Sequence, residues 1–359
     1  MFPLSVLELG RVREGSTRRA ALDEARELGR LIERLGYRRI WVAEHHNAPA
    51  VTSAATSLVI AHIASGTSTI RVGAGGIMLP NHAPYVIAEQ FGTLETLFPG
   101  RIDLGLGRAP GTDQLTLRAL RRDPSNAETF PQDVLELQAF LAPVTPGQRI
   151  EAVPGSGTEV PLWILGSSLF GAQLAAELGL PYSFASHFAP QLLDHAMTLY
   201  RERFKPSRQL AAPYVMVGVN AIAAETDAEA RRLWTSQQMS FADLLRGTRR
   251  LMQPPIDDIE AYWSPQEKVH ASQMLACSVV GSVETVRHGL EALVDRTKAD
   301  ELIVVSDVFD FERRLRSFQL IGEAARGIRT GNSRPAEEGG VGQIDRDAFA
   351  SVIQRGNRS

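Results

Sequence analysis

The amino-acid sequence predicts an α/β protein with a (β/α)8 TIM-barrel fold and insertions after strands 4 and 7. Short apolar runs alternate along the chain with segments of helical periodicity, and polar residues or glycines follow one apolar run after another. A chain of 359 residues is long enough for one such barrel with insertions. An open, doubly wound sheet shows the same alternation and is the main alternative.

Eight apolar runs are the predicted strands of the barrel. Most of them are continuous rather than alternating, which is typical of strands buried on both faces in a parallel sheet. In chain order they are Leu4–Leu9, Ile40–Ala43, Ile70–Ile77, Ile102–Leu106, Leu162–Leu165, Tyr182–Ala185, Val215–Ile222 and Leu302–Ser306.

Segments with a period of about 3.6 residues lie between these runs and predict helices. The first, "TRRAALDEARELGRLIERLGY", places Ala21, Leu28 and Ile32 on one side and stops at Gly36, a residue type that commonly ends helices. Another begins at Pro84, which favours a first helical turn. The stretches "FGAQLAAELGL" and "FERRLRSFQLIGEAA" show the same pattern.

Two connections are longer than ordinary loops, and we predict that both are insertions on one barrel domain of residues 1–328. They cover residues 109–160 and 223–300, approximately. Loops of this length usually carry structure of their own or a function. The tail, residues 329–359, is rich in glycine and charge and is predicted to be disordered.

Composition argues against several functional classes. The formal net charge is −3, so nothing supports binding to nucleic acid. Cys277 is the single cysteine, which excludes a disulfide within the chain and suits a reducing compartment. No signal-like segment opens the sequence, and no apolar run reaches the roughly 18 residues of a membrane span. A cytoplasmic protein with no membrane partner is expected.

Because the carboxyl ends of the strands form the active site in such barrels, the residues after each run are the candidate site. The second run, "IWVAEHHN", ends in Glu44, His45 and His46. Adjacent residues on an extended strand point to opposite faces, so we expect His45 to face the barrel mouth and His46 to pack outward. A metal site is not predicted because no companion ligands have the usual spacing, and no G-x-S-x-G elbow indicates a hydrolase.

The segment "ILGSSLFGAQLAAEL" places a glycine and two serines, Ser167 and Ser168, between a strand and a helix. Free backbone N–H groups and the helix dipole make such a helix start a ready anion site. Arg108, from the preceding strand end, is a candidate counter-charge. Simple N-capping by a serine and a surface salt bridge of Arg108 are the alternative interpretations.

Glycine is unusual inside a strand, yet the third strand contains Gly73, Gly75 and Gly76. Such glycines often allow a ligand to approach the backbone closely, and a tight barrel corner is the alternative.

Taken together, these segments resemble those of the bacterial luciferase-like monooxygenases, which are flavin-dependent TIM-barrel proteins. The matching segments include "GYRRIWVAEHH", "IRVGAGGIMLPNHAPYVIAEQFGTLETLFPGRIDLGLGRAPGTD", "WILGSSLFGAQLAAELGLPYSFASHFAP" and "DELIVVSD". The resemblance runs from about Leu4 to Ala325. It is greatest to single-chain members rather than to the light-emitting heterodimer.

The resemblance implies roles for individual residues. It places the isoalloxazine ring of the flavin beside the third-strand glycines, where a non-prolyl cis peptide is expected at Ala74–Gly75, and it places the flavin phosphate near Arg108 and Ser167. The resemblance and the residues at the strand ends together give one set of catalytic candidates and one set of cofactor-binding candidates. The catalytic candidates are His45, Glu44 and Glu89, and the cofactor-binding candidates are Ala74, Gly75, Gly76, Gly107, Arg108, Gly166, Ser167, Ser168, Phe170, Gly171 and His187.

One position differs from the family's pattern, and it limits which activities of the family are expected here. The reactive cysteine of the luciferases corresponds to Gly107 here, and Cys277 lies elsewhere, where core packing is expected. Light emission from aldehyde oxidation is therefore not implied.

The resemblance implies an FMN-dependent monooxygenase, acting on paired donors with incorporation or reduction of O2. A separate flavin reductase supplies reduced FMN, which reacts with O2 to give a C4a-peroxyflavin, and one oxygen atom enters a small organic substrate. His45 then hydrogen-bonds the flavin–oxygen adduct. Two alternatives stay open: an F420-dependent oxidoreductase on the same fold, and a non-catalytic flavin-binding relative. A homodimer is expected from the family.

Overall fold

The computed structural model describes residues 1–109 and 111–328, and the predicted disordered tail lies outside them. The predicted fold is confirmed: eight parallel strands close into a barrel, with β6 pairing to β7 at the closure. Each of the eight begins and ends within one residue of its predicted bounds. The barrel strands are β1 (Leu4–Glu8), β2 (Arg39–Val42), β3 (Arg71–Met78), β4 (Ile102–Gly107), β5 (Leu162–Gly166), β6 (Tyr182–Phe184), β7 (Val215–Ala223) and β9 (Glu301–Val305).

Helices cover the outside of the barrel and occupy the two long connections. Apolar side chains of the strands pack against these helices in one large core, while a second set fills the barrel interior, including Leu7, Trp41 and Ile303. The helices are α1 (Arg18–Leu35), α2 (Thr56–Ala64), α3 (Pro84–Leu97), α4 (Gln114–Ala119), α5 (Phe130–Leu141), α6 (Leu169–Leu178), α7 (Leu193–Arg203), α8 (Asp227–Leu245), α9 (Pro265–Met274), α10 (Val283–Thr297) and α11 (Phe311–Arg326).

A ninth strand, β8 (Ser278–Gly281), was not predicted. It pairs in parallel with Asn220–Ala223, the carboxyl-terminal half of β7, and so extends the sheet beyond the closed barrel. It lies in the connection between β7 and β9, together with α8, α9 and α10. The connection between β4 and β5 contains α4 and α5.

Buried charges close the amino-terminal end of the barrel. The guanidinium group of Arg39 donates to Glu301 at 2.8 Å and to Asp103 at 2.7 Å, and it lies 4.7 Å from the ring centre of Trp163. The indole N–H of Trp41 also donates to Asp103, at 3.0 Å. Buried charges are stable only when paired in this way. Because this end is filled, a ligand has to enter from the opposite end, where the strands finish.

The third strand contains the irregularity that the resemblance implied, but one residue later. The cis peptide bond joins Gly75 and Gly76, so the predicted position, Ala74–Gly75, is wrong. The ladder between β3 and β4 shifts register between Gly75 and Ile77, whereas Ala74 still pairs regularly with Leu104. Gly76 is therefore the extra residue of a β-bulge, and Ala74, which precedes it in the regular part of the ladder, keeps its side chain in the core.

Within the described part of the chain, no helix combines the length and the apolar composition that a membrane span requires.

Candidate active site

A cavity of about 980 Å³ opens at the carboxyl ends of the barrel strands. This volume is at the upper end of the range for small-molecule sites, about 300–1,000 Å³. The residues that follow the predicted strands thus form much of the wall of this cavity. Of the predicted residues, those lining the cavity are His45, Gly75, Gly76, Gly107, Arg108, Gly166, Ser167, Ser168, Phe170, Gly171 and His187.

Three predicted site residues are not brought to the cavity wall. Ala74 is fully buried in the core behind β3. Glu89 lies on α3, outside the barrel, where its side chain is close to Tyr85. Glu44 is buried beneath the wall and acts on the site only through its neighbours.

The segment after β2 carries both histidines into the cavity wall. The expectation that His46 packs outward is wrong, since both His45 and His46 line the cavity. The reason is local: the strand ends at Val42, and by Asn47 the backbone has turned into the left-handed region, with φ of 52°. Strand alternation therefore no longer applies at residues 45 and 46.

Glu44 holds this segment in place through a set of hydrogen bonds. Its carboxylate lies 2.8 Å from Nε2 of His46 and 2.9 Å from Nε2 of His82, and it accepts from the backbone N–H of Met78 at 3.0 Å. Burial opposes ionisation, but the bonds from the two imidazoles and the backbone outweigh it and hold the pKa of Glu44 at about 2. The carboxylate is therefore ionised, and both imidazoles donate to it.

His82 also belongs to this group, although it was not among the predicted catalytic or cofactor-binding residues. Together with Glu44 and His46 it forms a group whose donor atoms lie within 4.8 Å of one another, a donor set suited to a metal ion. The sequence argument against a metal rested on spacing along the chain, and it overlooked this group because His82 lies on the loop after β3. The three side chains already satisfy one another by hydrogen bonding, and the absence of a metal stays a prediction.

His45 is a neutral imidazole at the cavity. Burial, reinforced by the positive charge of Arg11, lowers the pKa of His45 to about 4. No described residue provides a hydrogen-bond partner for its Nδ1 atom. A neutral histidine can donate one hydrogen bond and accept another, so His45 is suited to holding or moving a proton on a bound ligand.

His187 is a second half-buried imidazole in the cavity wall. Burial lowers the pKa of His187 to about 4, and it too is neutral near pH 7. Its ring occupies the space above Gly218 of β7, where a Cβ atom would lie 2.5 Å from Nδ1. Gly218 is therefore needed for the ring to reach the interior of the barrel.

The turn between β5 and α6 has the features of an anion site rather than of a simple cap. Ser168 stands at the N-cap position of α6, but its hydroxyl makes no capping hydrogen bond. Arg108 forms no ion pair with a described residue. Instead its Nε donates to the carbonyl of Ala127 at 3.0 Å, and its guanidinium lies 4.3 Å from the ring centre of Phe170. The hydroxyl and the remaining guanidinium N–H groups are free to meet an anion.

Packing alone accounts for the third-strand glycines. A Cβ atom on Gly75 would lie 2.8 Å from the Leu7 side chain, and one on Gly76 would lie 2.7 Å from the carbonyl of Gly105. The tight-corner interpretation is therefore sufficient for both. Their backbone nonetheless forms part of the cavity wall.

Cys277 is buried, as expected for core packing, and its thiol lies 3.5 Å from the carbonyl of Gly218.

A closed (β/α)8 barrel with a large cavity at its carboxyl end, lined by neutral imidazoles and by polar groups that can accept an anion, defines an enzyme of the TIM-barrel class. The chain belongs to the luciferase-like monooxygenase family, whose model matches residues 2–300. It is therefore an oxidoreductase of the monooxygenase type.

Individual relatives agree with this membership. A luciferase-like monooxygenase of Escherichia coli strain K12 is 51% identical over 317 residues, which cover 88% of this chain and 95% of that protein. The structure of apo-MsnO8 is 39% identical with a TM-score of 0.85, covering 91% of this chain and 99% of that one. The oxygenating constituent of 3,6-diketocamphane monooxygenase from Pseudomonas putida, solved with FMN, shares the fold at 17% identity, with a TM-score of 0.69 and coverage of 92% and 99%.

Proposed function

We propose that this protein is an FMN-dependent monooxygenase that inserts one oxygen atom of O2 into a small organic substrate. One observation carries the proposal: Ser168 and Arg108, which are suited to an anion, and the half-buried neutral imidazole of His45 lie in the wall of one cavity. A flavin monooxygenase needs a site for a phosphate-bearing redox cofactor and a residue that can hold or move a proton. Ser168 with Arg108 is suited to the first task, and His45 is suited to the second.

The residues present fit FMN. The free hydroxyl of Ser168, the start of α6 and the unpaired guanidinium N–H groups of Arg108 suit a phosphate, and the backbone of Gly75 and Gly76 offers a wall without side chains. Bound reduced FMN would supply the activation of O2. The cavity is large enough to hold a flavin and still admit a small substrate beside it.

His45 would act on the bound ligand through a hydrogen bond. With a pKa of about 4 it carries no charge near pH 7, so it can hold a proton in place without adding a cation to the cavity. The Glu44 network fixes the segment that carries it. Apolar side chains such as Leu165 and Phe241 line the rest of the cavity and exclude water from the reacting groups.

The remaining parts of the proposal are supported by the resemblance to the luciferase-like monooxygenase family. We propose a separate reductase that delivers reduced FMN, a homodimeric assembly and a cytoplasmic location. F420 is the alternative cofactor, and a flavin-binding protein without catalysis is the alternative function.

The proposal is tested first by cofactor binding and by reaction with O2. FMN is expected to bind more tightly than F420 in parallel calorimetric titrations. Protein loaded with FMNH2 and mixed with O2 is expected to re-oxidise its flavin in at least two absorbance phases, more slowly than free FMNH2. Preferential binding of F420 would indicate the alternative cofactor, and re-oxidation indistinguishable from that of free FMNH2 would indicate a non-catalytic relative.

Replacing Arg108 with alanine is expected to weaken FMN binding by about tenfold or more, because charge-assisted hydrogen bonds to the phosphate are lost. Riboflavin, which lacks the phosphate, should bind the variant and the unmodified protein with affinities within about threefold. Arg118→Ala, an exposed arginine on α4, is the matched control. Equal losses for FMN and riboflavin would contradict a phosphate contact at Arg108.

A further inference from the structure

Arg11 is a cavity residue to which neither the sequence nor the proposed function gives a role. It follows β1, and its Nε donates to Oδ2 of Asp307 at 2.7 Å, where Asp307 follows the neighbouring strand β9. Its two Nη groups make no hydrogen bond to a described residue, and the side chain is 22% exposed, lining the cavity. The guanidinium therefore presents free N–H donors to whatever the cavity holds.

The position of Arg11 is fixed before any ligand binds. Its backbone forms a bridge with Val51, and the next residue, Val12, donates to the carbonyl of Ala50 at 2.8 Å. The ion pair with Asp307, whose side chain is almost fully buried, then orients the guanidinium. A fixed planar group loses little rotational freedom on binding, so its hydrogen bonds contribute more fully to affinity.

The charges around the cavity favour an anion. His45 and His187 are neutral. Asp113 is paired with Arg249 at 2.8 Å, and Asp243 accepts from the hydroxyl of Tyr262 at 2.8 Å. Four arginines outnumber these two acids among the charged lining residues, which are Arg11, Arg108, Arg249, Arg250, Asp113 and Asp243. Asp307, the buried partner of Arg11, brings the acids to three, against four arginines.

We propose that the two Nη groups of Arg11 bind a carboxylate of the organic substrate, so that the enzyme acts on small organic acids. The reaction that the organic acid undergoes rests on the proposed function. The binding of a carboxylate at Arg11 does not depend on it. Two parallel N–H donors match the two oxygens of a carboxylate. Arg11 is close enough to His45 for its charge to act on the imidazole, so a substrate held by its carboxylate lies beside the residue that would handle the proton.

The test compares a carboxylate with its uncharged amide. Binding of benzoate and benzamide, and of hexanoate and hexanamide, is measured by calorimetry on FMN-loaded protein. At least one carboxylate is expected to bind at least tenfold more tightly than its amide. In Arg11→Met this preference should fall to less than about threefold. Arg250→Met removes an exposed arginine from the same cavity and should keep the preference.

Arg11→Met leaves the buried carboxylate of Asp307 without its arginine partner. A double variant, Arg11→Met with Asp307→Asn, is therefore tested as well. Thermal unfolding checks that the single and the double variant are folded. The proposal is overturned if no carboxylate is preferred, if Arg250→Met and Arg11→Met have equal effects, or if Arg11→Met weakens FMN binding as much as carboxylate binding. If FMN itself does not bind, the proposed function fails. The same titrations on flavin-free protein then still decide the carboxylate site.

Discussion

Replacing His45 with glutamine is expected to slow the final phase of FMN re-oxidation by about 100-fold, because the proton transfer that this residue would support is lost. A positioned proton donor or acceptor typically contributes a factor of about 10² to 10⁴. Glutamine has a similar size and can still form hydrogen bonds, but it cannot transfer a proton. The readout is stopped-flow absorbance.

The matched control for this experiment is His187→Gln. His187 is also half-buried, also neutral and also in the cavity wall, so the two variants differ mainly in which side of the cavity loses an imidazole. FMN affinity is expected to stay within about twofold in both. Equal slowing in the two variants, or unchanged kinetics in His45→Gln, would contradict a specific role for His45.

The barrel could be predicted from sequence because its strands carry the clearest physical signal. A parallel strand covered on both faces has to be apolar throughout, and it ends where polar residues begin. β8 lacks this signal, since only its last residue, Gly281, is fully buried and its four residues pair with a single neighbouring strand. A short, half-exposed run of this kind cannot be distinguished from a loop by composition.

The position of the site could be predicted for the same reason, but its chemistry only in part. Residues directly after a strand reach the cavity, as His45, Ser168 and Arg108 do. Glu89 was carried over from the family alone and lies outside the barrel. The residues chosen from the strand ends therefore lie at the cavity, whereas the acid transferred from the family does not.

Contacts between distant segments could not be predicted. Arg11 depends on Asp307, which is 296 residues away along the chain, and Glu44 depends on His82, which is 38 residues away. Each pair forms because its two loops leave the barrel at neighbouring positions on the same rim. Only the closed order of the strands, which places β9 beside β1 and β3 beside β2, makes these partners adjacent.

Acid is expected to destabilise the flavin-free protein between pH 6.5 and about pH 4, through His45 and His187. Both have a pKa lowered from 6.5 to about 4 in the folded state, mainly by burial. In this range the unfolded chain binds protons that the folded protein does not, so the free energy of unfolding rises with pH, and the stability present above pH 6.5 is lost on acidification. Each histidine contributes about 1.4 kcal/mol per pH unit within the window.

The measurement is urea unfolding at half-unit steps from pH 7.5 to pH 4. The double variant His45→Gln with His187→Gln is expected to lose most of this slope, while His270→Gln, an exposed histidine on α9, should keep it. The carboxylate of Glu44 has a pKa of about 2 in the folded state, so it adds to the slope only below about pH 4.5, and the variants are therefore compared between pH 6.5 and pH 4.5. A double variant with the same slope as the unmodified protein would show that the two imidazoles are not held neutral by the fold. It would also remove the basis for treating His45 as an uncharged proton donor.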